Sequence, residues 1–133
     1  MTSSGPRSDR GQSVTAFVAV VMVALLAVAG LVVDGGRRAA ATREAQVTAQ
    51  AAARAGADAA VSARLAGMDG SGPGLAAARR HLQTAGVSGT ASVVPGGIRV
   101  DTSTTVSTVF LGVVGISTLT ARGSATAEIR PQR

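Results

Sequence analysis

Seven carboxylates and one imidazole are the side chains in this 133-residue sequence that could support acid–base or metal chemistry. General acid–base catalysis needs such groups close together, and a metal site needs three or more ligands. His81 lies beside Arg79 and Arg80, and the absence of cysteine excludes thiol catalysis and iron–sulfur clusters. We therefore expect no catalytic, metal or cofactor site and no small-molecule substrate. The acids are scattered without paired spacing at Asp9, Asp34, Glu44, Asp58, Asp69, Asp101 and Glu128.

The charge of the chain is strongly positive, with a formal net value of +6. All thirteen basic residues are arginines, and they are spread from Arg7 to Arg133 instead of forming a patch. The two aromatic residues, Phe17 and Phe110, offer no platform on which bases could stack. We therefore expect no nucleic-acid partner.

The apolar run Val14–Val33 contains no charged residue and only one hydroxyl, at Thr15. A bilayer core of about 30 Å needs about 20 helical residues, and this run has that length. The sequence therefore predicts a single transmembrane helix at 14–33. The flanking charges expected at the two membrane interfaces are Arg7, Asp9, Arg10, Asp34, Arg37 and Arg38.

A cleaved secretory signal peptide is the alternative interpretation of the same run. Ala27-Val28-Ala29 offers a small-x-small cleavage site before Gly30. The apolar run continues through Leu31-Val32-Val33, which is long for a signal core, so we favour the anchor. Counting nearby arginines mildly favours a cytoplasmic C-terminal side, whereas long domains translocate largely regardless of charge, so charge leaves the orientation open.

Four segments follow from composition. Residues 1–13 are polar and predict a disordered tail, 14–33 the transmembrane helix, 34–66 a juxtamembrane Ala-rich helix, and 67–133 a small α+β domain. Asp34-Gly35-Gly36 predicts a flexible joint between the first two helices. The Gly-rich run 67–74 predicts a helix stop and a loop.

A stripe of small residues follows one face of the Ala-rich helix and is a candidate helix-packing face for self-association. The alternative is that alanine is abundant here, so that any stripe would be small. The stripe consists of Ala45, Ala49, Ala52, Ala53, Gly56 and Ala60.

The C-terminal half predicts a short helix at 75–85 and three antiparallel strands, which gives an α+β fold with a lollipop shape: a long helix that carries a small sheet. Thr90–Val94 is the first strand, and residues 98–107 and 119–130 alternate between apolar and polar side chains. Between the last two strands, the connector Val109–Ile116 is unusually apolar. We expect it to plug the small core with Phe110; the alternative is an exposed patch against the membrane or a partner.

The N-terminal half resembles TadE/TadG-like proteins of the tight-adherence (Flp) pilus system. The resemblance lies in Gly11, the span 14–33, Val33-Asp34-Gly35-Gly36-Arg37 and the Ala-rich continuation to about residue 60; the C-terminal 109–116 and 121–127 are also similar. It implies a minor pilin-like protein of the cytoplasmic membrane, with a cytoplasmic N-terminus and an external C-terminal domain. It also implies membrane lipid, pilus-assembly proteins or pilin-like subunits as partners.

Prepilin-type processing would cut after Gly11 and leave Gln12 as the first residue. Members that are processed often carry Glu five residues after this glycine, where the carboxylate offsets a neighbouring subunit's amine within the membrane. Here that position is Ala16, and the span contains no acid. This departure favours an uncleaved accessory role in assembly or secretion.

Overall fold

A computed structural model describes residues 9–129 of the chain, with side chains from residue 13 onward. The predicted α+β fold is confirmed: a long apolar helix, a short helix and a three-stranded antiparallel sheet follow one another. The elements are α1 (Asp9–Leu65), α2 (Ser71–Ala85), β1 (Ser88–Val94), β2 (Gly97–Ser107), a 3-10 turn (Leu111–Val114) and β3 (Thr118–Glu128).

Helix α1 runs without a break from the apolar segment into the Ala-rich segment. The flexible joint predicted at Asp34-Gly35-Gly36 is therefore wrong. Two glycines weaken a helix, but the long helical segments on both sides carry the hydrogen-bond ladder through them. Of the predicted tail 1–13, residues 1–8 lie outside the described residues, and residues 9–13 form the start of α1.

Helix α2 begins at Ser71, within the segment 67–74 that was expected to be a loop. Oδ1 of Asp69 accepts hydrogen bonds from the backbone N–H and the hydroxyl of Ser71, at 3.3 and 3.1 Å. Pro73 is tolerated in the first turn because N–H groups there have no partner within the helix. The helix ends at Ala85 and is followed by Gly86, whose positive φ of 65° is the left-handed conformation of a C-terminal cap.

The sheet has the order β1-β2-β3, and both pairings are antiparallel. The alternation predicted from the sequence is confirmed: Ile98, Val100 and Thr102 are buried, whereas Arg99 and Ser103 are exposed. The first strand begins at Ser88, two residues earlier than expected. The sheet thus buries one face against the helices and exposes the other to solvent.

The second half of α1 is the centre of the core, because both α2 and the sheet pack on it. Gly56 and Gly74 allow the two helices to approach closely: a Cβ at Gly56 would lie 2.9 Å from the carbonyl oxygen of Gly74 and 3.2 Å from Cβ of Ala78. Gly123 of β3 lies against the backbone of Ala45 on α1, where an added Cβ would clash. Small residues therefore set the spacing between the elements.

This packing occupies the small-residue face predicted for self-association. The chain's own sheet and α2 bury the stripe, so a second copy cannot reach it without opening the domain. The packing is close because small side chains let backbones approach, as expected, but the neighbouring elements belong to the same chain. The buried residues are Ala45, Ala49, Ala52, Ala53, Gly56 and Ala60.

Two polar side chains attach β3 and β2 to α1. The amide of Gln46 forms two hydrogen bonds with the backbone of Ser124, donating to its carbonyl at 2.7 Å and accepting from its N–H at 3.1 Å. The buried hydroxyl of Thr102 donates to the carbonyl of Ala45 at 2.9 Å. These contacts fix the register between helix and sheet, since they satisfy specific backbone atoms.

Candidate functional site

The apolar part of α1 projects its side chains away from the rest of the chain. Across residues 14–33 the structure buries only Gly30, and large side chains such as Phe17, Leu25 and Val32 are 64–69% exposed. Among the described residues, α1 is the one helix long and apolar enough to cross a membrane. An uninterrupted apolar surface of this length is unfavourable in water and matches the hydrocarbon core of a bilayer.

The connector Val109–Ile116 packs against α1 at the end of this apolar segment. A Cβ on Gly30 would lie 2.6 Å from Cβ of Phe110, so the absence of a side chain there lets the aromatic residue approach the helix. The expected core plug is wrong: Phe110 remains 43% exposed, and Val113 and Val114 are 87% and 72% exposed. The core is filled instead by Leu82, Ile98 and Val100 together with the alanines of α1.

Asp34 holds the connector to α1 through three backbone hydrogen bonds. Its carboxylate accepts hydrogen bonds from the backbone N–H groups of Val109 at 2.9 Å, Phe110 at 3.0 Å and Leu111 at 2.8 Å. Asp34 is 1% exposed, so it is not the solvated interfacial charge that the sequence predicted. The carboxylate is buried because three donors replace its water.

The same hydrogen bonds determine the acidity of Asp34. The N–H groups of Val109 and then Leu111 contribute most to lowering the pKa of Asp34 below its usual value, and Phe110 and the positive charge of Arg37 act in the same direction. Burial raises the pKa of this carboxyl, but less than the strongest hydrogen bonds lower it. Asp34 is therefore ionised at neutral pH.

Hydrogen bonds within the connector satisfy much of its remaining backbone. The N–H of Val113 donates to the carbonyl of Phe110 at 3.1 Å, and the N–H of Ile116 donates to the carbonyl of Leu111 at 3.0 Å. Thr108 closes the base of the loop, since its N–H donates to the carbonyl of Ser117 and its hydroxyl to that of Ile116. The connector is thus an ordered turn with apolar side chains outside.

The remaining charged residues of the described chain lie apart from this connector. The described part of the chain contains no group of three or more histidine, cysteine, aspartate or glutamate residues that could hold a metal ion. Arg99 and Asp101 form an ion pair of 3.0 Å on the polar face of the sheet, where both side chains are about half exposed. The hydrogen bond from Arg99 lowers the pKa of Asp101, as expected for an ordinary surface pair.

The predicted processing site lies at the edge of what the structure describes. The backbones of Gly11 and Gln12 form part of α1, and the side chain of Gln12 lies outside what the structure describes. Cleavage after Gly11 therefore stays a prediction.

Sequence reasoning missed three residues that position the connector and β3: Gly30, Asp34 and Gln46. One indication was available for Asp34. An acid directly after an apolar run needs hydrogen-bond donors if it is buried, and the backbone N–H groups of a distant apolar loop need acceptors. Nothing in the spacing of Gly30 or Gln46 distinguished them from the other small and polar residues of α1. Their roles depend on contacts that only the folded chain makes.

The fold and the exposed apolar segment together define a small α+β protein whose long helix is suited to membrane anchoring. Residues 11–60 match the Tad family model, which describes Flp pilus-assembly TadE/G-like proteins. The resemblance seen in the N-terminal half is thus confirmed over these residues, which cover the apolar segment and most of the rest of α1. No curated protein and no solved structure matches the chain.

Proposed function

We propose that this chain is a single-pass membrane component of a Flp/Tad-type pilus assembly or secretion system and has no enzymatic activity. Residues 14–33 span the cytoplasmic membrane, the N-terminus is cytoplasmic, and the α+β domain is extracytoplasmic. Its partners are membrane lipid and other pilus-assembly proteins or pilin-like subunits. The similarity of residues 11–60 to the Tad family supports the pilus assignment.

The exposed apolar surface of α1 is the observation that carries the membrane assignment. Val20, Val23, Leu25 and Val28 are each more than 60% exposed, although they lie on different faces of the helix. A helix that is apolar all round is stable only when it is buried in a protein or spans a membrane. The described chain buries almost none of this segment, so a bilayer supplies the missing environment.

The cleaved-signal alternative fits the geometry less well. Cleavage before Gly30 would leave Leu31, Val32 and Val33 at the start of a secreted protein, and the structure leaves them 63%, 69% and 43% exposed. An anchored chain keeps these side chains in lipid. The mass of the mature N-terminus distinguishes the cases: Met1 or Thr2 indicates an uncleaved anchor, Gln12 a processed pilin, and Gly30 a secreted protein.

A charged variant tests the anchor directly. Arginine at the middle of a span costs about 2.5–3.5 kcal/mol per residue, so Val23→Arg/Leu25→Arg should shift the protein from the carbonate-washed membrane fraction to the soluble or degraded fraction. Val47→Arg is the matched control, because Val47 lies on the same helix and is as exposed as Leu25, at 64%. Equal membrane retention of both variants would contradict the anchor.

The pilus assignment needs a separate measurement in the native cell. Removing the chain should abolish or strongly reduce thin surface pili counted by electron microscopy, and the wild type and Val47→Arg should restore them. Val23→Arg/Leu25→Arg should not restore them. Unchanged pili in the deletion strain would refute the pilus role while leaving the membrane anchor intact.

A further inference from the structure

We propose that the connector Val109–Ile116 is a second membrane contact, inserted among lipid headgroups and the adjoining acyl chains beside the point where α1 leaves the bilayer. The inference rests on the proposed function, because it requires residues 14–33 to lie in the membrane. It adds a lipid-binding surface on the α+β domain, formed by a loop that lies far from α1 in the sequence.

The depth of the connector follows from its contacts with α1. Phe110 packs on Gly30, and Asp34 binds the backbone of Val109, Phe110 and Leu111. Gly30 precedes the end of the apolar segment at Val33 by three residues, which is about 5 Å along a helix. The connector is therefore held at the level of the last turn of the span.

The surface of the connector suits lipid. Val109–Ile116 contains no charged or hydroxyl side chain, and its most exposed residues, Val113 and Val114, are valines. Exposing such side chains to water costs about 25 cal/mol per Å². Because the connector continues the apolar surface of α1, the lipid that surrounds the apolar segment of α1 can also cover the connector.

The backbone of the connector is also prepared for an apolar environment. Non-helical backbone at membrane depth is tolerated only where its N–H and C=O groups find partners within the protein. Asp34 accepts three of the N–H groups, and turns within the connector satisfy those of Val113, Gly115 and Ile116. Burial of the Asp34 carboxylate behind these donors keeps its charge away from lipid.

Positive charge lies where lipid phosphates would be. Arg37 and Arg38 follow Asp34 by three and four residues, so they lie one helical turn beyond it on the same side of α1, and both are exposed. The apolar connector, with two arginines one helical turn farther along α1, matches the boundary between acyl chains and anionic headgroups. A protein partner would not require apolar residues to be followed by basic residues in this order along the helix axis.

Single tryptophans provide the test, since the natural chain has none. Val113→Trp reports on the connector, Leu25→Trp on the span, and Val47→Trp on the exposed part of α1 outside it. Each full-length variant is reconstituted into phosphatidylcholine–phosphatidylglycerol vesicles. Emission is compared with and without brominated acyl chains, and with acrylamide in the water. Circular dichroism confirms that each variant folds.

We expect brominated lipid to quench Val113→Trp and Leu25→Trp and to leave Val47→Trp unchanged, whereas acrylamide should quench mainly Val47→Trp. If Leu25→Trp is quenched by the lipid and Val113→Trp by acrylamide, the anchor stands and the connector proposal fails. Failure of Leu25→Trp to respond to the lipid would instead overturn the anchor itself. Protection of Val113→Trp from both quenchers would show that protein covers the connector, which also overturns the proposal.

Discussion

At the scale of single residues, Asp34 has the most specific role in this molecule. A buried carboxylate at the end of an apolar segment is costly unless donors replace its solvent, and here three consecutive backbone N–H groups do so. Such an arrangement resembles the anion site at the start of a helix, in which orphan N–H groups point at a negative charge. Asp34 thereby converts an apolar loop into an ordered connector.

Replacing Asp34 should release the connector. Asn has nearly the same size, but it offers one carbonyl oxygen and an NH₂ group that cannot accept the N–H donors. We expect Asp34→Asn to lower Tm by several degrees and to increase the hydrogen exchange of residues 109–111 at neutral pH. Asp58→Asn is the control, because Asp58 lies exposed on the same helix, and its substitution should leave both measurements unchanged. Unaltered exchange at 109–111 in Asp34→Asn would contradict the role assigned to this carboxylate.

The contribution of Asp34 should depend on pH with a defined sign. The pKa of Asp34 is lower in the folded chain than in the unfolded one, where an Asp titrates at about 3.9. A carboxyl of this kind stabilises the fold above its unfolded pKa, and the contribution is lost as the pH falls through its folded pKa. The difference in Tm between wild type and Asp34→Asn should therefore be constant near neutral pH and shrink in acid below about pH 4. A difference that grows with acidification would exclude this assignment.

At the scale of elements, close packing on α1 depends on glycines, which have no side chain to hold neighbouring elements apart. Gly30 leaves room for Phe110. Gly56 on α1 and Gly74 on α2 let the two helices approach each other, and Gly123 lets β3 contact the backbone of α1. The alternation of β2 and β3 predicted the buried face of the sheet, because a period of two is a local property. The stripe of small residues indicated which face of α1 packs, but α1 alone could not show that α2 and the sheet of the same chain would cover it.

Two alanine substitutions on α1 separate helix propensity from packing. Gly35→Ala should stabilise the chain by about 0.5–1 kcal/mol, because nothing lies within 4 Å of the added Cβ and alanine favours the helix. Gly30→Ala gains the same propensity but meets Phe110, and overpacking of this kind costs about 1–3 kcal/mol. Tm and exchange of the connector in detergent check both effects. A Gly30→Ala protein as stable as Gly35→Ala would show that the Phe110 contact is not tight.

At the scale of the whole molecule, one continuous helix connects the proposed span to the folded domain. Because α1 is unbroken at Gly35-Gly36 and the connector is bonded to Asp34, the domain is held close to the end of the apolar segment. Because the small-residue face is covered by the chain's own elements, the connector, the polar face of the sheet and the apolar segment of α1 are among the described surfaces that remain exposed.

Protease access tests the orientation of the whole chain. With the domain outside, trypsin added to spheroplasts should cleave at exposed arginines such as Arg79 and Arg80 and remove a C-terminal tag. The same tag should survive in spheroplasts that receive no trypsin. It should also survive trypsin treatment of inverted membrane vesicles, where an N-terminal tag becomes accessible instead. Cleavage of the C-terminal tag only in inverted vesicles would reverse the orientation, as Arg37, Arg38 and Arg43 would favour by the positive-inside rule.

The sequence by itself determined the apolar helix, the three strands (two of them by their alternation) and the α+β class, because length, polarity and periodicity are properties of neighbouring residues. The tertiary structure alone decided that the connector lies outside the core and that the small-residue face is filled by its own chain. Asp34 and Val109 are 75 residues apart, and no local pattern encodes a hydrogen bond over that separation. The contact forms because a buried carboxylate and unpaired backbone donors each lower the cost of burying the other.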